Sequence, residues 1–540
     1  MIRSGRAALL ARRLIATIAL SVLALPRAAS ADVAQDIGEL TAALQDGRTV
    51  QVRGLPIVSG AFLARFYGAR GNAPAWLGEE DARALLNALG GGLAQGFRPA
   101  DFHLPALLSL YEAARAGSDA DKAAFEIAAS DAAARLIHHM VFGKVDAETL
   151  DSGWNFNRPV IEADPAEVLN AALAGPGFGA LMERLAIRNP QYTQLVEALA
   201  RYRDLEAAGG WPSVPAETVL KPGEIDPRVP LLRRRLAIEG DYFGPQDESL
   251  TYDAGLQAAV MEFQRRNGLD ADGVLGPKTF TALNRTASER VDQIRLSLER
   301  MRWLARTAAP DAVLVNIAGA RTYLIRDGKT VWTTRSITGS AYRKTPVFQD
   351  RISYMEFNPT WTVPASIFRK DKLEKIRADV GYLARNNYIV RNSEGATIDP
   401  YSVDWSGTPA VTLVQQPGDD NALGRVKFMF PNKYAVYLHD TNDKSLFDRA
   451  ERNLSSGCVR LEEPFEFAML LMEGAPDWSA EKMQAILASG RTTRVDLPEP
   501  MPVMLTYWTA WMENGKMQFR EDIYGRDAAV LAALNAGYGS

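Results

Sequence analysis

The chain is poor in cysteine and histidine, with one of the first, Cys458, and four of the second in 540 residues. A lone cysteine excludes an internal disulfide framework. So few imidazoles leave little material for a multi-histidine metal site, and none is expected. Basic residues are not in excess: 61 Lys and Arg stand against 65 Asp and Glu, a net charge of -4. That balance excludes the basic footprint of a nucleic-acid binder. Beyond the N-terminus no hydrophobic run approaches the ~20 residues a spanning helix needs. Composition is otherwise ordinary, 47% hydrophobic and 23% charged, enough for several cores.

The N-terminus reads as an export signal over residues 1–31. Arg3, Arg6, Arg12 and Arg13 precede an apolar run from Leu14 to Leu25, and Ala29-Ser30-Ala31 is an A-x-A cleavage site. The mature chain is expected to begin at Asp32, in the periplasm, with no membrane span left after cleavage. Export makes the single thiol informative, because an oxidising compartment usually pairs cysteines. Cys458 is then a buried small hydrophobe, an intermolecular link or a working thiol. Composition alone favours the buried reading, and its neighbours reverse that preference.

The pattern predicts a multidomain α+β protein. Residues 32–211 carry apolar residues at spacings of three and four, as in KAAFEIAASDAAARLIHHMVFG, and read as a helical scaffold. His138 and His139 there are adjacent, so they point about 100° apart on a helix and cannot chelate one metal together. A Pro/Gly-rich linker spans 212–229. Residues 230–284 form a compact unit, with helical spacing on both sides of the turn Asp272-Gly273-Val274-Leu275-Gly276-Pro277 and Thr279 as the cap of a closing helix. This unit resembles the small three-helix peptidoglycan-binding domain at Phe263-Gln264, Gly268-Leu269, Asp272-Gly273, Gly276 and Thr279, which implies association with the cell wall. A connecting helix is expected from Thr286 to Ala305, within 285–309. Residues 310–525 read as one mainly β domain, with turns at Gly319, Asp327-Gly328 and Asn514-Gly515. Strands are expected at Arg351–Phe357, Val411–Val414 and Tyr434–His439. Residues 366–425 form a long insertion, a length common in lids. A tail, 526–540, closes the chain.

Chemistry concentrates in Ser455-Ser456-Gly457-Cys458-Val459-Arg460-Leu461 and, upstream, Tyr437-Leu438-His439-Asp440. Thiolate attack needs a sulfur, a base in reach and donors for the oxyanion. Cys458 supplies the first, and His439, the only histidine after His139, the second. The amides of Gly457 and Cys458 are candidates for the third, and Arg460 for carboxylate binding or for holding the loop. Tyr437 faces the same side as His439 if both lie on a strand. Asp440 would then face away and reads as a turn or surface residue.

S-x-G-C-V-R-L after Y-x-H resembles the L,D-transpeptidase signature, with Cys458 matching the nucleophile, His439 the base and Arg460 the motif arginine. Thr338-Gly339, Thr345-Pro346 and the segment Asn358 to Pro364 extend the likeness to the larger, scaffold-bearing branch, whose insertion caps the site. Many members have histidine where Ser456 stands. The third member of the triad stays open between a backbone carbonyl near His439 and the side chains of Ser455 and Asp440. Trp361, Tyr437, Ser455 and Ser456 are candidates for the donor-peptide groove, with core packing as the competing role of the two aromatics. Trp332, Trp405, Trp508 and Trp511 read as core.

The resemblance implies 3→3 cross-linking of peptidoglycan. Donor and acceptor stem peptides are the partners, carbapenems the expected inhibitors, and no cofactor is implied. Hydrolysis by the same first half-reaction, as an L,D-carboxypeptidase or an enzyme that detaches wall-linked protein, is one alternative. A non-catalytic wall-binding scaffold is another. A zinc peptidase is disfavoured by the single histidine of the region.

Overall fold

The computed structural model describes residues 31–46, 48, 50–150, 154–156 and 163–537. The predicted export signal, apart from its last residue, lies outside the described residues.

An alanine-rich stretch builds the centre of the N-terminal region. The 24-residue helix Asp119–Phe142 starts at a Ser118–Asp121 capping box and buries Ala123, Ala124, Ala128, Ala129, Ala132 and Ala133. Small side chains let neighbouring helices approach closely. Helices Ala31–Gln45, Gly60–Ala69, Glu79–Ala94, Leu104–Ala116 and Gly177–Leu185 all contact it. The long helix stops at Gly143, with φ +85°, where a Cβ would stand 2.7 Å from Glu299 and Trp303. His138 and His139 pack on rings, 5.2 Å from Phe142 and 5.3 Å from Phe97 respectively.

Helix Pro190–Ala207 continues the scaffold in sequence but not in packing. Its apolar face, Tyr192, Leu195, Leu199 and Tyr202, meets Val291, Ile294, Leu298 and Met301 of helix Ala287–Leu304 inside the core of the β domain. The connecting helix begins where its sequence predicts. Thr286 caps it, and the Glu289 carboxylate accepts the Thr286 amide at 2.7 Å.

The small unit comprises helices Val229–Glu239, Ala254–Arg266 and Pro277–Leu283. Its motif is a hydrogen-bonded knot around Gln264. The Gln264 amide nitrogen donates to Asp272 (2.9 Å), the Val274 carbonyl (2.9 Å) and the Thr279 hydroxyl (3.2 Å), and its oxygen accepts the Gly273 amide (2.9 Å). Thr279 does not cap the closing helix. Gly276 holds that position, and Thr279 is buried one turn in, against Gln264. Val214 and Leu220, in the stretch predicted as linker, enter the core of this unit.

The β domain is a sheet closed on itself. Among the described residues its strands run, in spatial order, Val426–Met429, Leu438–His439, Val459–Leu461, Lys329–Gly339, Arg321–Arg326, Ala312–Asn316, Thr493–Thr506 and Val347–Phe357, and the last pairs back with the first. Turns at Asp327-Gly328 (φ 49° and 71°) and Asn514-Gly515 (51° and 74°) have the left-handed residues a two-residue hairpin requires. The expected strand over 434–439 is reduced to Leu438–His439. Ala435 has φ 53°, and Asn432 ties the bend by donating to the Val436 carbonyl at 2.7 Å.

The strand expected at Val411–Val414 is Thr412–Gln415, and it lies in a second sheet. It pairs with Tyr388–Arg391 and Trp361–Thr362, and Thr397–Ile398 completes a four-stranded sheet. This insertion has a core of its own, including Trp361, Phe368, Leu373, Ile376, Leu383 and Trp405. Trp332, Trp508 and Trp511 are buried as expected. The predicted tail forms helix Asp527–Asn535, and the Lys144 ammonium donates to its carbonyls at Leu534 and Ala536, both at 2.8 Å.

Candidate active site

Strand register assembles the site. Glu356 pairs with Lys427, Lys427 with His439 and His439 with Arg460, so the four form one row across the sheet. Residues two apart on a strand share a face. Tyr437 and Cys458 therefore stand beside that row and on its side. The Val459 amide donates to the Tyr437 carbonyl at 3.1 Å, which holds the two segments in parallel. Cys458, the residue before strand Val459–Leu461, and His439 thus face the same way. His439 is buried, at 4% exposure, whereas Cys458 is half-buried.

The surroundings of both side chains disfavour their charged forms. Burial and the guanidinium of Arg460 hold His439 down to about 3; Lys427 adds to the effect, and the carbonyls of Asp440 and Leu423 oppose it. Burial pushes the Cys458 thiol up, against the pull of the Tyr437 groups, Lys427 and Arg460. The sulfur lies 3.7 Å from the Ala435 carbonyl, a position in which a protonated thiol donates. His439 Nδ1 meets the main-chain carbonyl of Asp440. A carbonyl only accepts, so Nδ1 carries the proton and Nε2 is the basic nitrogen.

Of the three candidates for the orienting group, the backbone carbonyl is the one in place. The Asp440 side chain points elsewhere: its carboxylate accepts the Arg425 amide at 2.8 Å and the Lys444 ammonium at 2.7 Å. Asp440 is also buried, at 3% exposure, rather than a surface residue. These partners draw it inward, and Gly424 makes room, since a Cβ there would lie 2.4 Å from the carboxylate. Instead of His439, Ser455 braces the loop that carries Cys458. Its hydroxyl donates to the Cys458 carbonyl (2.5 Å) and accepts the Gly457 amide (3.1 Å).

That last bond corrects the expected oxyanion pair. The Gly457 amide is engaged by Ser455, which leaves the Cys458 amide as the donor of the two. Gly457 has φ +123°, a conformation glycine adopts at little cost, and its carbonyl accepts the Thr345 hydroxyl at 2.8 Å. Arg460 reaches the Thr441 hydroxyl at 3.4 Å, and its Nε is buried without a hydrogen-bond partner.

The groove candidates divide. Tyr437 bridges the cores of the barrel and the insertion, with its ring 5.6 Å from that of His439. Trp361 is core rather than groove. It is 8% exposed, packed on Tyr388, with the Lys372 ammonium 5.6 Å from its ring. Ser456 is exposed and accepts from Arg343 at 2.7 Å, and Arg343 also pairs with Asp371 of the insertion at 2.7 and 3.0 Å. Lys427 is the charged residue that the sequence reading passed over. Its ammonium lies 4.4 Å from the Tyr437 ring and interacts with Cys458. No local motif marks it; only the register brings it to the site. Among the described residues no group of three or more His, Cys, Asp and Glu side chains is arranged to hold a metal ion.

Comparison with known families separates three segments. Residues 310–477 match the L,D-transpeptidase catalytic domain, 226–283 a "Putative peptidoglycan binding domain", and 61–199 a scaffold domain. A Haemophilus influenzae protein named "Putative L,D-transpeptidase" is 38% identical over 228 residues, 42% of this chain and 46% of its own length. The chain therefore spans about half the length of that relative. Among solved structures, an L,D-transpeptidase (residues 123-326) from Xylanimonas cellulosilytica is 15% identical, over 54% of this chain and 98% of that one, with a TM-score of 0.18. An L,D-transpeptidase from Mycobacterium smegmatis is 12% identical, over 37% and 59%, also with a TM-score of 0.18. At those scores the structural likeness carries no weight.

Proposed function

We propose that the protein, whose residues 310–477 match the L,D-transpeptidase catalytic domain, cross-links peptidoglycan stem peptides through a thioester on Cys458. What carries the reading is the shared face of Cys458 and His439, with Nδ1 occupied by the Asp440 carbonyl. His439 Nε2 takes the thiol proton as the sulfur attacks the carbonyl that joins the third stem residue to its terminal D-alanine. The C–S bond forms, the C–N bond breaks, and the imidazolium returns the proton to the departing amine. The side-chain amine of a second stem then attacks the thioester. Its C–N bond forms, the C–S bond breaks, and the amine's proton returns through His439 to the sulfur. The product is a 3→3 link.

The unit over 226–283 supports a wall substrate. A cavity of about 410 Å³ lies where this unit meets the loop at Ala450 and Glu451, lined by Asp270, Asp272 and Lys278. The signal-like N-terminus supports a site of action outside the cytoplasm, and no helix among the described residues is long and apolar enough to cross a membrane.

Intact-protein mass spectrometry after carbapenem exposure tests class and site together. One adduct is expected on the wild type and none on Cys458→Ala. An adduct on the variant would sink the nucleophile assignment. Mass spectrometry of the products from purified tetrapeptide muropeptides then reports the acceptor: a cross-linked dimer for an amine, a free tripeptide for water.

A further inference from the structure

Behind the nucleophile loop lies a closed set of four hydrogen bonds that the proposed reaction has not used. The Thr345 hydroxyl donates to the Gly457 carbonyl and accepts the Gly339 amide, both at 2.8 Å. The Thr345 amide donates to the Tyr524 hydroxyl at 3.0 Å, and that hydroxyl donates to the Gly339 carbonyl at 2.6 Å. The directions are forced. Amides only donate and carbonyls only accept, so each hydroxyl must accept an amide and spend its one proton on a carbonyl. Thr345 is wholly buried and Tyr524 is 4% exposed. The loop from Gly339 to Thr345 folds so tightly that a Cβ on Gly339 would stand 2.2 Å from the Arg343 carbonyl oxygen.

Tyr524 is itself held on every side. Its ring stacks on Tyr507 at 5.2 Å, its amide donates to the Tyr507 hydroxyl at 3.1 Å, and its carbonyl accepts Lys344 at 2.7 Å. It comes from the C-terminal segment, beyond the residues 310–477 that match the catalytic family.

The end of this chain of donors is the peptide between Gly457 and Cys458. In a trans peptide the carbonyl and the following N–H point in opposite directions. Anchoring the Gly457 carbonyl on Thr345 therefore fixes where the Cys458 N–H points, and a hydrogen bond to the carbonyl strengthens that N–H as a donor. Ser455 already occupies the Gly457 amide, so the Cys458 amide is the loop donor left for a tetrahedral oxyanion. We propose that Thr345 and Tyr524 are positioning residues that aim and polarise the Cys458 amide. The C-terminal segment is by this reading a working part of the site. The inference rests on Cys458 being the acylated nucleophile.

The test compares two reactions at one sulfur. Alkylation by iodoacetamide passes through no oxyanion, whereas acylation does. Acylation is measured with a carbapenem and, separately, with p-nitrophenyl acetate, whose use requires only a nucleophilic Cys458. Thr345→Val should slow both acylations about 10- to 100-fold, a part of the loss seen when an oxyanion donor is removed outright. Its alkylation rate should stay within about twofold. Tyr524→Phe, which keeps the stacked ring, should show the same split at several-fold, and Thr345→Ser should restore both acylation rates. Alkylation and acylation falling together in Thr345→Val, or acylation unchanged, overturns the proposal. A wild type that reacts with the ester but not the carbapenem weakens the transpeptidase reading and leaves the positioning role readable on the ester.

Discussion

His439 lies between Lys427 and Arg460 in the row across the sheet, and with burial these cations keep its imidazole neutral down to about 3. The Cys458 thiol is raised by burial. Alkylation of Cys458 by iodoacetamide should therefore climb through the alkaline range, without a plateau at neutral pH. A plateau already reached at or below neutrality would show a preformed thiolate–imidazolium pair instead. Lys427 favours the thiolate, so Lys427→Met should slow alkylation about tenfold at fixed pH, the effect of about one pKa unit. Lys427→Arg should recover most of it, and equal rates in all three proteins would remove Lys427 from the site. Cys458 and His439 stand out in the sequence because a short contiguous motif surrounds each. Lys427 was not, because its place depends on which strand pairs with which. The Asp440 carbonyl could not be singled out either, since every residue has a carbonyl.

Elements with local rules were read closely, and those set by tertiary contact were not. Thr286 and Glu289 announce the helix Ala287–Leu304, and Asn514-Gly515 announces its hairpin. The strand expected over 434–439 fails at Ala435, where Asn432 bends the chain, a feature that alternating hydrophobicity does not encode. The insertion shows the same limit. Its length was visible, but its sheet and its link to the loop that carries Cys458 were not. That link runs from Asp371 through Arg343 to Ser456, with Arg343 and Asp371 each about a third exposed. Ion pairs so exposed contribute about 0–1 kcal/mol. Asp371→Asn should accordingly raise amide hydrogen exchange by a few-fold in residues 365–378 and leave the barrel strands unchanged. Unaltered exchange there would mean that apolar packing alone holds the insertion over the site.

At the scale of the whole molecule the small unit is joined to the rest through buried charge. Glu239 accepts from Arg235 (2.7 Å) and Arg266 (2.9 Å) within the unit, and from the Tyr202 hydroxyl (2.7 Å) on helix Pro190–Ala207. The Arg290 guanidinium, from the connecting helix, lies 4.2 Å from the Phe519 ring and donates to Asn267 of the unit at 2.7 Å. Burial opposes ionisation of Glu239, but Arg266, Arg235 and Arg290 outweigh it and hold the carboxyl far below its ordinary range. A depressed carboxyl favours the folded state above its unfolded pKa of about 4.3 and gives up that stability as pH falls through the folded value. Asp241 pairs with the same arginine but is itself raised by burial, so its own linkage to pH runs the opposite way. Breaking one partner of a buried network costs about 3–5 kcal/mol, because the remaining charges lose their compensation. Glu239→Gln should thus lower the thermal midpoint at neutral pH and expose the stretch 212–229 to limited proteolysis. The difference from wild type should shrink as the pH approaches the folded pKa. If cleavage at 212–229 is unchanged while Tm falls, the network stabilises the small unit alone and the joint is held by apolar contacts.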